Sequence, residues 1–132
     1  MNDAETKLVE ALRSGKYKQT TNKLRGLHAF EDREYSYCCL GVACEIFGLG
    51  KWSGESCFMS ASTSSCTELT EEVREKLNWF NQSGIVVHPI TRAQLISKDG
   101  HSLTLVRLND SGFTFNQISD VIHANMILHQ GE

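Results

Sequence analysis

The sequence predicts a mainly helical α+β fold: four or five helices around a buried central helix, with a small two-stranded hairpin. Three observations carry that reading. The run Tyr37-Cys38-Cys39-Leu40-Gly41-Val42-Ala43-Cys44-Glu45-Ile46-Phe47-Gly48 is apolar or small on nearly every face of a helical wheel, so a helix there must be surrounded by protein. Apolar residues recur at three- and four-residue spacing near both ends of the chain, the period of a half-buried helix. Ile85-Val86-Val87 and Leu95-Ile96 read as short strands, and Pro89 confines the first to an edge or an end. At 132 residues, with 40% hydrophobic and 22% charged residues and one proline, the chain suits a single globular domain over residues 1–132. A domain of this size buries roughly two thirds of its unfolded surface, so neither a metal nor a disulfide is required to hold it.

Taken in order, Asp3 is placed to cap a helix over 4–14, where Ala4, Leu8, Ala11 and Leu12 share a face and Gly15 supplies the stop. Residues 16–35 are polar and basic and read as extended or loop, with a turn of helix near Asn22–Leu27. The central apolar run follows. Gly41 would let another backbone approach closely and Gly48 or Gly50 would end the helix; a buried strand is the alternative, since short apolar runs are not typed by period alone. Residues 51–67 are rich in serine, glycine and threonine and read as a long irregular loop. Thr67 or Thr70 caps the next helix, with Glu71 and Glu72 at its positive end and Leu69, Val73, Leu77 and Phe80 or Trp79 as its stripe. Ser83-Gly84 breaks it, and Leu95-Ile96 is expected to pair with residues 85–87 as the small hairpin. Ser102–Leu108 has equal local support as helix or strand. Asn109-Asp110-Ser111-Gly112 makes a turn, and Thr114 caps a last helix carrying Phe115, Ile118, Val121, Ile122 and Met126.

Charge and composition exclude several functions. A net charge of −3 and a pI near 5.9 argue against sequence-specific nucleic-acid binding, which needs a basic face. The basic stretch of Arg13, Lys16, Lys18, Lys23 and Arg25 has no aromatic ladder in its sequence pattern and reads as solvated surface. The polar opening Met-Asn-Asp-Ala-Glu-Thr-Lys lacks the apolar run of an export signal, and no apolar stretch is long enough for a membrane span. Five cysteines without such a signal are expected to be free thiols in a reducing cytosol.

The sharpest catalytic constellation is a thiol at a helix start, Cys38 or Cys39, served by His101 or His88; the helix dipole there lowers a thiol's pKa. Against it, cysteines in apolar helices are usually inert packing and no third group orients the histidine. Zinc has no Cys-x-x-Cys pair to hold it; Cys39 and Cys44 fall on different faces, and Cys57 and Cys66 would have to meet His28 or His88. No metal and no cofactor is expected. Glycine-rich phosphate loops are missing, and the neighbours Glu31-Asp32 and Glu71-Glu72 point in different directions, as solvated or helix-start charges. His123 and His129 read as structural or solvated. The turn at 109–112 makes a helix–turn–helix-like hairpin, but its second helix offers Asn116, Gln117, Asp120 and His123 and no Arg or Lys, so packing is its expected role. Trp52, Phe58, Trp79 and Phe80 would form a partly exposed apolar patch suited to a partner or to self-association as a homo-oligomer.

Three blocks in combination resemble a family of short phage and prophage proteins of unassigned function. They are Leu12-Arg13-Ser14-Gly15-Lys16-Tyr17-Lys18-Gln19, Tyr37-Cys38-Cys39-Leu40-Gly41-Val42-Ala43-Cys44, and Leu108-Asn109-Asp110-Ser111-Gly112-Phe113-Thr114-Phe115-Asn116-Gln117-Ile118-Ser119-Asp120-Val121-Ile122. The resemblance covers most of the chain outside residues 51–100. It implies an accessory protein in the cytoplasm of a bacterial host cell, acting by binding: inhibiting a host or antiviral-defence protein, or sequestering a small nucleotide signal. A cysteine-dependent hydrolase or transferase is the rival expectation.

Overall fold

The computed structural model describes residues 1–29 and 34–132. The Glu31-Asp32 pair lies outside these residues, as does the side chain of His28. The fold is a mixed α+β arrangement, 33% helix and 23% strand, with five helices and two three-stranded sheets among the described residues. It is therefore not mainly helical, and the expected fold class is corrected: two three-stranded sheets form outside the segment expected to hold the one small hairpin.

Helix α1 (Asp3–Arg13) starts one residue before the expected position because Asn2, not Asp3, caps it. Asn2 Oδ1 accepts the Glu5 N–H at 2.8 Å and the Glu5 carboxylate accepts the Asn2 N–H at 3.0 Å, a reciprocal box that satisfies two otherwise orphaned donors. Its buried face, Ala4, Leu8, Val9 and Leu12, packs chiefly on the C-terminal helix and then on the central one.

The described residues of the segment 16–37 hold no turn of helix. They form β1 (Lys18–Gln19), β2 (Arg25–Ala29) and β3 (Glu34–Tyr37), with β3 central, parallel to β1 and antiparallel to β2. At Asn22, in the segment read as helical, φ is +67°, a left-handed value that a helix cannot contain.

Helix α2 (Cys39–Phe47) is the enclosed centre, with every residue from Cys39 to Cys44 buried. Cys38 caps it, its sulfur accepting the Gly41 N–H at 3.3 Å, and Gly48 closes it in a left-handed conformation. Gly41 faces the chain just before β2: a Cβ placed there would lie 1.8 Å from the Leu24 carbonyl oxygen. The buried Asn109 completes the helix start. Its Oδ1 accepts the Cys39 N–H at 3.1 Å and Gln19 Nε2 at 2.9 Å, while Nδ2 donates to Thr20 O at 2.8 Å. One amide thus ties α2, β1 and the C-terminal hairpin together.

The serine-rich segment is the second correction. It is not an irregular loop but a meander of β4 (Gly50–Ser53), β5 (Cys57–Ser60) and β6 (Ser64–Ser65). Strand preference measures fit to a pleated, half-buried surface, and here Phe58 alone carries the strands' fully buried side. The meander also corrects the expectation of five free thiols. Cys57 and Cys66 are joined in a disulfide, brought opposite one another because Phe58 pairs with Ser65 next to them. Cys38, Cys39 and Cys44 are free and buried.

Helix α3 (Glu71–Leu77) begins after Thr70, but Thr70 makes no side-chain cap. The hydroxyl of Thr63 takes over, accepting the Glu71 N–H at 2.9 Å. Residues 85–104 pair through isolated bridges, among them Val87 with Gln94 and Ile96 with Ser102, so 85–87 and 94–96 meet as expected without forming continuous strands. Helices α4 (Leu105–Asp110) and α5 (Phe115–His123) close the chain, capped by Thr104 and Thr114. No helix among the described residues is long and apolar enough to cross a membrane.

Candidate functional site: an aromatic row between the two sheets

Tyr35 and Tyr37 are two residues apart on β3 and so lie on one face of the first sheet. Tyr17, between α1 and β1, stands edge-on to Tyr37 with ring centres 5.4 Å apart. Tyr37 in turn meets Trp52 of β4 at 6.0 Å, and Trp52 meets its cross-strand partner Phe58 at 5.0 Å. Tyr17, Tyr35, Tyr37 and Trp52 are all half-buried, while Phe58 is sealed behind them. The result is a continuous aromatic row across the seam between the sheets.

Arg25 builds that seam. It is only 8% exposed, and its guanidinium sits between two rings, 3.7 Å from the centre of Tyr35 and 4.4 Å from that of Trp52. Its Nε donates to Glu55 O at 2.9 Å and its Nη2 to Gly54 O at 3.0 Å. The Glu55 carboxylate returns the link by accepting the Leu27 N–H at 2.7 Å. A desolvated cation between aromatic faces is worth about 2 kcal/mol, so the row is held rigid before any partner arrives.

Beside the row lies a cleft of about 300 Å³ lined by Lys16, Tyr17, Lys18, Glu34, Tyr35, Tyr37 and Glu45. Its charges are paired or tethered. Lys18 Nζ is 3.0 Å from Glu34, Lys16 lies over the Tyr17 ring, and Glu45 accepts the Trp52 indole N–H at 2.7 Å. Burial, and then Glu45, push the Tyr37 phenol above its ordinary pKa, which keeps the hydroxyl neutral and able to donate. A larger depression of about 430 Å³ beside Leu103, Arg107 and Ser111 has no aromatic lining, and its Arg107 is paired with Asp99 at 3.3 Å.

The family model described as a domain of unknown function, DUF8296, matches residues 1–126. The chain belongs to the DUF8296 family. No curated protein and no solved structure matches it.

Of the four apolar residues expected to share a surface patch in this DUF8296 chain, only Trp52 belongs to the row's accessible part. Phe58 is 2% exposed and Trp79 0%, so neither can meet a partner. Trp79 turns into the core because Asn78 ends α3 in a left-handed conformation, and its indole N–H donates to the buried Glu5 carboxylate at 3.0 Å. The same carboxylate oxygen is 2.9 Å from His129 Nε2. Phe80 has an exposed side chain, although its N–H bonds to Leu128 O at 2.9 Å. Tyr17, Tyr35 and Tyr37 were missed, and Arg25, expected with its basic neighbours to be solvated surface, is instead buried. Tyr35-Ser36-Tyr37 alternation just ahead of the apolar run is the signal that could have found two of the tyrosines.

The expected thiol constellation is not brought together. Burial pushes the Cys38 thiol up to about 11 and Cys39 well above its ordinary value, against the direction a nucleophile needs. The Cys39 sulfur faces Leu105 O at 3.8 Å. His88 is exposed and accepts the Ile90 and Thr91 N–H groups on Nδ1, and His101 sits exposed beside Asp99 at 4.0 Å. Among the described residues neither imidazole hydrogen-bonds a thiol. Iodoacetamide should therefore leave Cys38, Cys39 and Cys44 unmodified in the native protein and label all three after denaturation. Mass spectrometry reads this directly; rapid native labelling of Cys38 or Cys39 would return the thiol reading to contention. Of the residues considered for zinc, Cys57 and Cys66 are consumed by their disulfide.

Proposed function

We propose that this DUF8296 protein is a non-enzymatic binding protein that engages a host or defence protein through the row Tyr17–Tyr37–Trp52–Tyr35, as an accessory protein made by a phage or mobile element in a bacterial cytoplasm. The observation that supports the reading is the row itself: four half-buried aromatic rings, with Tyr17 edge-on to Tyr37, Tyr37 tilted against Trp52, and a buried arginine over Tyr35 and Trp52. Aromatic side chains dominate the energetics of protein interfaces because they bury much surface at little entropic cost. Rings already fixed in place have less still to lose on binding.

The charges favour a protein over a nucleotide. Lys16 and Lys18 are matched in the cleft by Glu34 and Glu45, so a phosphate-rich signal finds no net cationic field there. A protein surface with charges of both signs does find complements. The phage provenance draws its support from the resemblance of the three sequence blocks, two of which are the α2 core and the α4–α5 hairpin.

The test is affinity capture from a bacterial host lysate with the native protein and with a Tyr17→Ala/Tyr35→Ala variant whose circular dichroism is unchanged. A protein retained by the native chain should be lost roughly 30-fold or more in the variant, since an interfacial hot spot costs about 2 kcal/mol or more. Equal capture by both chains, or retention of a nucleotide and no protein, would overturn the proposal.

A further inference from the structure

The disulfide of the second sheet is placed where it can control the aromatic row. Cys66 is an exposed residue and Cys57 a half-buried one, and they close the open end of a β5–β6 ladder that contains only two paired positions. The same end of the hairpin is docked on the core. Cys66 O accepts the Leu24 N–H at 2.8 Å, and Leu24 O accepts the Cys38 N–H at 3.1 Å. The next residue, Arg25, is the one held between Tyr35 and Trp52. The far end of the hairpin is pinned separately, by Glu72 accepting from Ser62 N–H at 2.7 Å and from the Thr63 hydroxyl at 2.6 Å. Opening the disulfide therefore frees one end of the hairpin, the end that braces Leu24 and Arg25, and leaves the other anchored.

The remaining sulfurs cannot short-circuit this device. Cys38, Cys39 and Cys44 are buried thiols, and burial raises the pKa of all three, so internal thiolate attack on the Cys57–Cys66 bond is suppressed. Cys66 is left as the accessible sulfur position for an external reductant.

We propose that the Cys57–Cys66 disulfide is a redox latch on the aromatic row, opened by a dithiol reductant; the functional part of this proposal rests on the row being the binding face. A reductant thiolate attacks Cys66 Sγ, the Cys57–Cys66 bond breaks, and Cys57 leaves as a thiolate that takes a proton from water. The reductant's second thiol, as its thiolate, then displaces Cys66 from the mixed disulfide. Two electrons pass to the protein, which holds two thiols, and the reductant ends as its own disulfide. In a reducing cytoplasm the latch therefore stands open, and it closes to fix the row when the surroundings turn oxidising.

The experiment needs no partner, so its failure is separate from failure of the binding reading. Two indole N–H resonances, from Trp52 and Trp79, are followed by NMR in ¹⁵N-labelled protein, with Trp52→Phe assigning them. Dithiothreitol should yield two newly alkylatable thiols, at Cys57 and Cys66, and shift the Trp52 resonance, whose N–H bonds Glu45, while Trp79 stays in place. A Cys57→Ser/Cys66→Ser protein should show the shifted Trp52 resonance from the start and no response to dithiothreitol. The latch is overturned if the bond resists dithiothreitol in the folded protein, if complete reduction leaves Trp52 unmoved, or if both resonances collapse together as in global unfolding.

Discussion

Replacing Gly41 by alanine is expected to cost about 3 kcal/mol or more, the upper range for overpacking a core. The added methyl would sit 1.8 Å from the Leu24 carbonyl oxygen and 2.8 Å from its carbon, and these are backbone atoms with no rotamer to change. Retreat is also blocked. The same oxygen accepts the Cys38 N–H at 3.1 Å, and the Leu24 N–H is held by Cys66 O at 2.8 Å. Moving Leu24 would loosen the start of α2, the hairpin and the anchor of Arg25 together. Urea unfolding should show the loss as a lowered midpoint, with a fall in melting temperature of roughly 10 °C. Gly48→Ala is the control: φ there is +64° with nothing within 4 Å, so only the left-handed strain is felt, about 1 kcal/mol. Equal costs at the two positions would refute the enclosure of α2.

Trp79→Ala should destabilise the protein by about 4 kcal/mol, a cavity effect in the range for large aromatic side chains. The side chain is 0% exposed, and its loss also removes one of the donors that satisfy Glu5, itself 2% exposed. Trp79→Phe separates the two contributions: most of the volume stays but the bond to Glu5 goes, and about 1–2 kcal/mol should be lost. The neighbouring Phe80→Ala, at a side chain 49% exposed, should cost less than about 1 kcal/mol. Guanidinium unfolding of the three variants measures the order directly. If Trp79→Ala were as mild as Phe80→Ala, the inward turn at Asn78 would be wrong.

Particular residues show how much of this was legible. The last helix was readable from its Thr114 cap and from Phe115, Ile118 and Ile122, which form its buried face, because those signals are local; it ends at His123, before the expected Met126. Trp79 and Phe80 were not separable, since both can continue the stripe of α3. The left-handed conformation at Asn78 decided which of them entered the core. Cys57 and Cys66 gave no sign of bonding, because eight residues, mostly serine and threonine, lie between them and only the β5–β6 register sets them face to face. For the candidate site, Trp52 alone was foreseen. Its companions come from three separate segments, Tyr17, the β3 pair and Arg25, and no spacing rule links them.

The sequence by itself pointed to the two terminal helices and favoured the enclosed helix around Gly41 over a strand; of the turn expected at 109–112, Asn109 and Asp110 belong to α4. In each helix, residues three or four apart must share one burial or one hydrogen-bonding task, so the requirement is written locally. Tertiary structure alone decided the two sheets, the Cys57–Cys66 bond and the aromatic row. A strand of two or four polar residues satisfies its N–H and C=O groups only on a distant partner, and that partner's identity leaves no mark on the strand's own side chains.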